Sequence, residues 1–201
     1  MLNFKIHIMI TESKVTEIFC IADDFCKEFE VEMAKNSLPS SPDAPKRCRK
    51  RMMSDAEVIT ILICFHFNTY RNFKHYYLSC VCGQWKHLFP RRFSYNRFVE
   101  IMPRCFVSLT MFLRLACFGE CTGISFVDST CIPVVHNKRE FNMKVFKGIA
   151  AKGKSTMGWY VGFKLHLLCN EKGELVNFVL TRANVDDREE SVIDTLTDKV
   201  F

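Results

Sequence analysis

The chain has 201 residues, which is long enough to bury a core as one large domain or as two small ones. Apolar residues make up 48% and charged residues 25%, a balance that excludes disordered and fibrous proteins. No apolar run approaches the roughly eighteen residues of a membrane-spanning helix, and residues 1–10 lack the features of a signal peptide. Eleven cysteines at scattered spacings predict reduced thiols, so we expect a cytoplasmic protein without membrane contact.

The net charge of +6 is unevenly distributed along the chain. Residues 1–45 carry a net charge of −4, residues 46–114 carry +10 from thirteen basic and three acidic side chains, and residues 115–201 are neutral overall. Such a concentration of Lys and Arg favours a polyanionic partner, because each cation placed on a phosphate releases condensed counterions. A solvated basic surface explains the charge alone equally well.

The first 53 residues predict a helix and a linker. Apolar residues recur every three or four positions across residues 11–35, as in an amphipathic helix, so residues 1–36 are assigned to this helix. Three prolines within residues 37–45 exclude a continuous helix, and we interpret residues 37–53 as a linker. Its later part is a basic run of candidate DNA contacts, namely Lys46, Arg47, Arg49, Lys50 and Arg51.

Residues 54–118 are predicted to form a basic helical DNA-binding module. Ser54 and Glu57 match a capping box at the start of a helix. Further helical patterns follow near residues 70–81 and from Ser94 onward, with a kink expected at Pro103. Basic residues are frequent in the later part of the module, and two of them are candidate DNA contacts, Arg91 and Arg92.

The cysteines of this module also raise the question of a zinc site. Cys80 and Cys82 lie near His75 and His87, but their one-residue gap is shorter than the gap usual in zinc sites. Because both cysteines adjoin a helical apolar surface, we interpret them as buried thiols.

Near Gly119 the pattern changes from helical to extended, and residues 119–201 predict a second domain. We expect three strands, at residues 124–128, 158–169 and 175–181. A hairpin turn at residues 170–173 joins the second and third strands, and a final helix covers residues 187–200. The fold class is therefore α/β, or α+β over the whole chain, with a helical module followed by a sheet.

Asp128 is the candidate catalytic residue and metal ligand. It is expected at the far end of an apolar strand, followed by Ser129 and Thr130. Phosphodiester hydrolysis can use two metal ions held about 3.5–4 Å apart, and hard Mg²⁺ prefers carboxylate oxygens. A rigid strand would fix such a ligand, although an Asp in this position is more often a cap or turn residue.

Four segments together resemble the insertion sequence 982 family of bacterial transposases. They are residues 124–130 (ISFVDST), 147–155 (KGIAAKGKS), 158–166 (GWYVGFKLH) and 184–188 (NVDDR). The resemblance covers nearly the whole chain from Met9 onward. It implies a ribonuclease H-like fold, a cytoplasmic enzyme associated with the bacterial nucleoid, and double-stranded DNA of the terminal repeats as partner, with a homo-oligomer left open.

In that family two Asp and one Glu hold Mg²⁺ or Mn²⁺, and Asp128 matches the first Asp. The resemblance places the second Asp on a strand after the final helix and the Glu on a later helix, so we expect a C-terminally truncated, catalytically incomplete chain. Translation is expected to start at Met1 or at Met9, where the family usually begins. Asp186 and Asp187 are conceivable substitutes, but we favour a role in capping the helix over residues 187–200.

Lys164 and His166 share one face of their strand by the period-two rule. Our hypothesis is that this pair contacts DNA phosphate near the metals, with a solvated polar role as the alternative. The loop over residues 144–154, with four lysines and two glycines, is another candidate phosphate contact and could equally be solvated.

Two functions compete at this stage. The first is a DDE transposase that binds its element, cleaves phosphodiester bonds and joins the freed ends to a target. The second is a DNA-binding remnant or regulator without nuclease activity, which explains the charge without requiring a complete set of carboxylates.

Overall fold

A computed structural model describes residues 10–36 and 51–198. The chain divides into two compact units, Met1–Ala116 (unit 1) and Cys117–Phe201 (unit 2). Most of the predicted linker, with the candidate DNA contacts Lys46, Arg47, Arg49 and Lys50, lies outside the described residues. None of the helices within the described ranges is long and apolar enough to cross a membrane.

Unit 1 is built from helices. They are α1 (Glu12–Asn36), α2 (Asp55–Phe67), α3 (Phe73–Tyr76), α4 (Tyr95–Ile101) and α5 (Phe106–Ala116). Helix α3 continues as a π-helix over Tyr77–Gln84, and a 3₁₀ turn at Met102–Cys105 separates α4 from α5. This break confirms the kink predicted at Pro103, since proline has no N–H to donate to the preceding turn.

Helix α2 begins with the predicted capping box. The Glu57 N–H donates to Ser54 Oγ at 3.1 Å, and the Ser54 N–H donates to Glu57 Oε2 at 2.7 Å. Two N–H groups at the helix start, which have no partner inside the helix, are thereby satisfied. The helix then buries Val58, Ile59 and Ile61 completely, so it forms the centre of the core of unit 1.

Two buried tyrosines connect the segments around this core. The Tyr76 hydroxyl donates to the carbonyl of Ile61 at 3.0 Å, and the Tyr77 hydroxyl donates to the carbonyl of Phe93 at 2.8 Å. Both side chains are fully buried, and a buried hydroxyl without a partner would cost about 1–3 kcal/mol. These bonds therefore let two large aromatic rings pack inside without a polar penalty.

Unit 2 contains an antiparallel sheet, one α-helix and a 3₁₀ segment at Asn137–Asn142. The elements are β1 (Ser125–Val135), β2 (Ala151–Ser155), β3 (Gly158–Asn170), β4 (Leu175–Arg182) and α6 (Glu190–Thr197). Strand β3 pairs with β1 along one edge and with β2 and β4 along the other. The outer edge of β1 has no strand partner among the described residues.

The α/β class is confirmed, and the hairpin turn and the strands β3 and β4 lie where they were predicted. The expected count of three strands is wrong, because β2 forms a fourth within the segment predicted to be a loop. Its Lys-Gly-Lys sequence has little strand propensity of its own. Pairing with the start of β3 provides what the local sequence lacks.

The two faces of the sheet differ in what covers them. Helix α6 packs through Val192 and Leu196 against Leu168 and Val176. Because side chains alternate along a strand, Lys164, His166 and Leu168 of β3 all lie on this side, which we call the helix face. Asp128 lies directly opposite Leu167 and so projects from the other side, which we call the Asp128 face.

Gly162 allows β1 and β3 to approach each other where β1 is irregular. A Cβ at this position would collide with the carbonyl oxygen of Ile132. The register of β1 shifts between Pro133 and Val135 at this point, and a proline is tolerated there because β1 is an edge strand among the described residues. A glycine is therefore required at this crossing.

Replacing Ser54 by Ala tests the capping box. The variant leaves the Glu57 N–H without its acceptor, so we expect the free energy of unfolding to fall by about 1 kcal/mol. Urea denaturation followed by far-UV circular dichroism measures this change. Ser13→Ala on the exposed surface of α1 is the control and should stay within about 0.5 kcal/mol of the parent chain. Equal stabilities of the two variants would contradict the assignment.

Candidate active site

Asp128 is the fourth residue of the eleven-residue strand β1. The prediction that the strand ends at Asp128 is wrong, because pairing with β3 continues through Val135. Residues 129–135 (STCIPVV) contain several β-branched residues, which favour a strand, and β3 supplies their hydrogen-bond partners. Asp128 is thus held on both sides by paired backbone, which fixes its position more firmly than a strand end would.

The carboxylate of Asp128 is exposed and has one hydrogen bond in the structure, from the Ser129 N–H to Oδ1 at 2.7 Å. Its neighbours on the same face are mostly apolar: Phe126 of β1 is 60% exposed, Leu165 and Leu167 of β3 are partly buried, and Thr130 is the polar exception. No other side chain that β1, β2, β3 and β4 place on this face is acidic. Asp128 is therefore an isolated, accessible carboxylate on an apolar surface.

A single carboxylate does not make a metal site. Within residues 10–36 and 51–198, no group of three or more His, Cys, Asp or Glu side chains could hold a metal ion. A two-metal site needs several oxygen ligands arranged around both ions. The described residues therefore fit one ligand of such a site and not the whole of it.

Lys164 and His166 lie on the helix face, away from Asp128. Lys164 Nζ donates to the carbonyl of Val185 at 2.8 Å and lies 3.2 Å from Asp187 Oδ1. His166 Nε2 lies 2.9 Å from Thr181 Oγ1, and the histidine is completely buried. The structure does not bring this pair to Asp128, and their contact with DNA phosphate stays a prediction that these positions do not support.

Asp187 is the residue that this pair contacts. Its Oδ1 lies 3.4 Å from His166 Nδ1, close enough for attraction, although the geometry is too poor for a hydrogen bond and Nδ1 has no other partner. The Asp187 side chain is about half exposed, whereas the Lys164 side chain is only 12% exposed. The segment between β4 and α6 is thus attached to the helix face by the ion pair of Asp187 with Lys164, and Asp187 also contacts His166.

The capping role predicted for Asp186 and Asp187 is wrong. Helix α6 begins at Glu190, its N-cap residue is Glu189, and no side chain caps it. Asp186 Oδ1 instead accepts a hydrogen bond from the Arg188 N–H at 2.9 Å, within the connecting turn. A local rule failed here because a tertiary attraction between Lys164 and Asp187 determines where Asp187 points. The sequence signal that could have revealed it is the presence of two basic residues on one face of the preceding hairpin.

Burial lowers the pKa of His166 below its ordinary value, and the nearby Lys164 ammonium acts in the same direction. Asp187 opposes this shift because its negative charge favours the protonated ring. The ring is consequently neutral at neutral pH, so it contributes packing and a hydrogen bond to the helix face and no positive charge.

The candidate DNA contacts in unit 1 differ in whether their charged groups already have a partner within the chain. Arg91 is exposed and forms no ion pair among the described residues. Arg92 makes a long hydrogen bond of 3.5 Å to the carbonyl of Phe89. Arg51 Nη1 lies 3.0 Å from Asp55 Oδ2, so part of its charge is compensated. Arg91 and Arg92 are therefore the most available cations among these three.

The cysteines considered for zinc lie in the π-helical segment. Cys80 is fully buried, and this burial raises the pKa of its thiol above the ordinary value. A thiol with a raised pKa is protonated at neutral pH, whereas zinc binds the thiolate. The environment of Cys80 is accordingly that of a core residue.

With this geometry described, comparison with known proteins adds one finding. Residues 118–201 match the family described as "Transposase DDE domain". The match covers all but the first residue of unit 2 and supports a DDE-type transposase, a class of protein that binds DNA and uses divalent metal ions. No curated protein and no solved structure matches the chain.

Replacing His166 by Gln tests the buried neutral histidine through pH. Because the folded-state pKa is lowered, the unfolded chain binds a proton more readily as the pH falls through about 6.5, and stability is lost in that direction. We expect the melting temperature of the parent chain to fall more between pH 7.5 and pH 5.5 than that of His166→Gln. His75→Gln, at an exposed position, should behave like the parent. The same pH dependence in all three proteins would contradict this account.

Proposed function

We propose that the chain derives from a transposase of the insertion sequence 982 family, an enzyme that binds the terminal repeats of its element, cleaves phosphodiester bonds and joins the freed ends to a target. We propose that it acts in the bacterial cytoplasm, in association with the nucleoid. The observation that carries the proposal is the exposed carboxylate of Asp128, fixed in β1 inside the segment that matches the DDE domain.

The order of elements in unit 2 supports a ribonuclease H-like fold for this domain. Strand β1 is followed by the short strand β2, by the hairpin of β3 and β4 and then by α6, which packs on one face. The free edge of β1, among the described residues, is where a further strand would pair. In the proposed fold that strand carries the second Asp, and pairing beside β1 would bring the two carboxylates together.

In this proposal Asp128 would supply one ligand to Mg²⁺ or Mn²⁺, which when bound would stabilise negative charge that develops at the scissile phosphate. Hard divalent ions prefer carboxylate oxygens, and Asp128 presents such oxygens to solvent. The pairing of β1 with β3 on either side of Asp128 along the strand holds this ligand in place. The four described strands offer no second acidic side chain on this face that could act as a further metal ligand.

A second function, DNA binding without cleavage, is favoured for these 201 residues by that same isolation of Asp128. One carboxylate cannot complete a two-metal site, whereas the basic surface of unit 1 needs no such completion to bind DNA. We therefore expect the 201-residue chain to bind double-stranded DNA and to leave it uncut.

Manganese and the variant Asp128→Asn test the metal ligand directly. Paramagnetic Mn²⁺ should broaden the amide NMR signals of Ser129 and Thr130 in the parent chain, because they adjoin the carboxylate. The broadening should be lost in Asp128→Asn and kept in Asp198→Asn, an exposed control in the turn after α6. Broadening centred on Asp186 and Asp187 instead would overturn the assignment.

A nicking assay in Mg²⁺ accompanies the NMR experiment. The expected result is no cleavage of supercoiled DNA by the parent chain or by Asp128→Asn. Cleavage that depends on Asp128 would contradict the claim that these 201 residues bind without cutting.

The double variant Arg91→Ala/Arg92→Ala tests the basic surface of unit 1. If both guanidiniums lie on phosphates, the plot of log affinity against log salt should lose about 0.9 in slope for each contact removed. Fluorescence anisotropy with a labelled duplex measures the slope. Arg97→Ala is the matched control, because the Arg97 guanidinium is paired with Glu100 at 2.7 Å. A double variant with the slope of the parent would remove these residues from the interface.

A further inference from the structure

An exposed tryptophan lies near the start of β3, beside two lysines of β2. The Trp159 side chain is 58% exposed, an unusual position for a large aromatic ring. The ammonium groups of Lys152 and Lys154 each lie 6.0 Å from its ring centroid. The arrangement is an exposed aromatic ring with two ammonium groups of the neighbouring strand β2 close to it.

The backbone around Trp159 is held firmly. Strand β2 pairs with the start of β3, and Lys154 lies directly opposite Trp159. The Trp159 carbonyl accepts a hydrogen bond from the Asn137 amide, and Lys152 is bound to Glu140 Oε2 at 2.9 Å. Lys154, by contrast, forms no ion pair within the described part of the chain. The ring is thus displayed on a rigid hairpin with at least one uncompensated positive charge.

This combination fits an unpaired nucleotide. Nucleobases stack on exposed aromatic rings, and the phosphates that flank a base pair with neighbouring lysines. A base inside a continuous duplex is covered on both sides by its neighbours, so only a strand end or a single-stranded segment offers a free base to the ring. Cation–π attraction to the two lysines alone would stabilise the hairpin, but it leaves most of the ring in water.

Trp159 lies on the Asp128 face. Leu167, opposite Asp128, and Trp159 are separated by eight residues of β3, an even number, so both side chains project to the same side. At about 3.3 Å per residue the strand places the ring ~26 Å from Asp128. A strand of about eight nucleotides would span that length if its bases were stacked at the ~3.4 Å rise of one duplex strand.

We propose that Trp159, with Lys152 and Lys154, is a stacking site for an unpaired nucleotide of a DNA strand that runs along the Asp128 face. The inference rests on the proposed function for its choice of DNA, and it adds the state of the substrate that unit 2 recognises, a strand end or single-stranded segment.

Intrinsic fluorescence of the 201-residue chain gives a direct readout. The chain has two tryptophans, and Trp85 is 2% exposed, so only Trp159 is open to a stacking base. A single-stranded DNA 12-mer should quench the Trp159 emission, whereas a long duplex with few ends should bind without quenching. An abasic strand of the same length should bind more weakly and leave the emission unchanged.

Substitutions separate stacking from charge. Trp159→Ala should weaken binding of the 12-mer about tenfold, or ~1.4 kcal/mol, with duplex affinity unchanged. Trp159→Phe should restore the affinity, because phenylalanine also presents an aromatic face. Lys154→Ala should reduce the salt dependence, and Met157→Ala, a fully exposed residue in the β2–β3 turn, is the control that should change nothing. Far-UV circular dichroism and melting temperature establish that each variant is folded.

The outcomes distinguish this inference from the proposed function. If Trp159→Ala binds the 12-mer as tightly as the parent chain, the stacking site is wrong while DNA binding stands. If the parent binds neither single-stranded nor duplex DNA, the proposed function fails together with the inference. Tighter binding of an RNA 12-mer of the same sequence would overturn the assignment to DNA.

Discussion

The antiparallel pairing of β1 with β3 determines where the chemically important side chains of unit 2 point. It sets Asp128 opposite Leu167 and Ser129 opposite His166, so the carboxylate and the buried histidine lie on opposite faces of the sheet. A slip of one residue would move Asp128 onto the side covered by α6. The close approach at Gly162 and the irregularity after Pro133 make such a slip costly, because both would have to be rebuilt at a new position. The exposure of Asp128 on its face of the sheet thus depends on the register between β1 and β3.

As a result, the polar side chains of the helix face and those of the Asp128 face have different environments. The helix face holds its polar residues in mutual contact: Lys164 is bound to the Val185 carbonyl and to Asp187, and His166 is shielded and neutral. Partial exposure of Asp187 reduces the desolvation cost that a fully buried ion pair would incur. On the Asp128 face the polar groups are few and solvent-exposed. On the helix face the ammonium group of Lys164 stabilises the fold, whereas on the Asp128 face the ammonium group of Lys154 is available to a ligand.

Local rules predicted the parts of this molecule that depend on local interactions. The capping box at Ser54, the break at Pro103 and the β3–β4 hairpin are each specified by a few neighbouring residues, and each was confirmed. Strand β2 and the role of Asp187 were missed because both depend on partners distant in sequence. Asp128 was found as a candidate from its strand context, but its face relative to Lys164 requires the register between β1 and β3. Periodicity within one strand cannot supply that register.

Asp128 also affects how the unpaired outer edge of β1 can interact with other molecules. Among the described residues this eleven-residue edge offers free N–H and C=O groups, which can recruit a strand from another molecule and begin aggregation. Asp128, the fourth residue of β1, places a negative charge beside that edge, and Pro133 has no backbone N–H to donate. Two copies meeting edge to edge at Asp128 would bring like charges together. The carboxylate that makes β1 a candidate for catalysis therefore also disfavours edge-to-edge pairing of β1 between two copies of the chain.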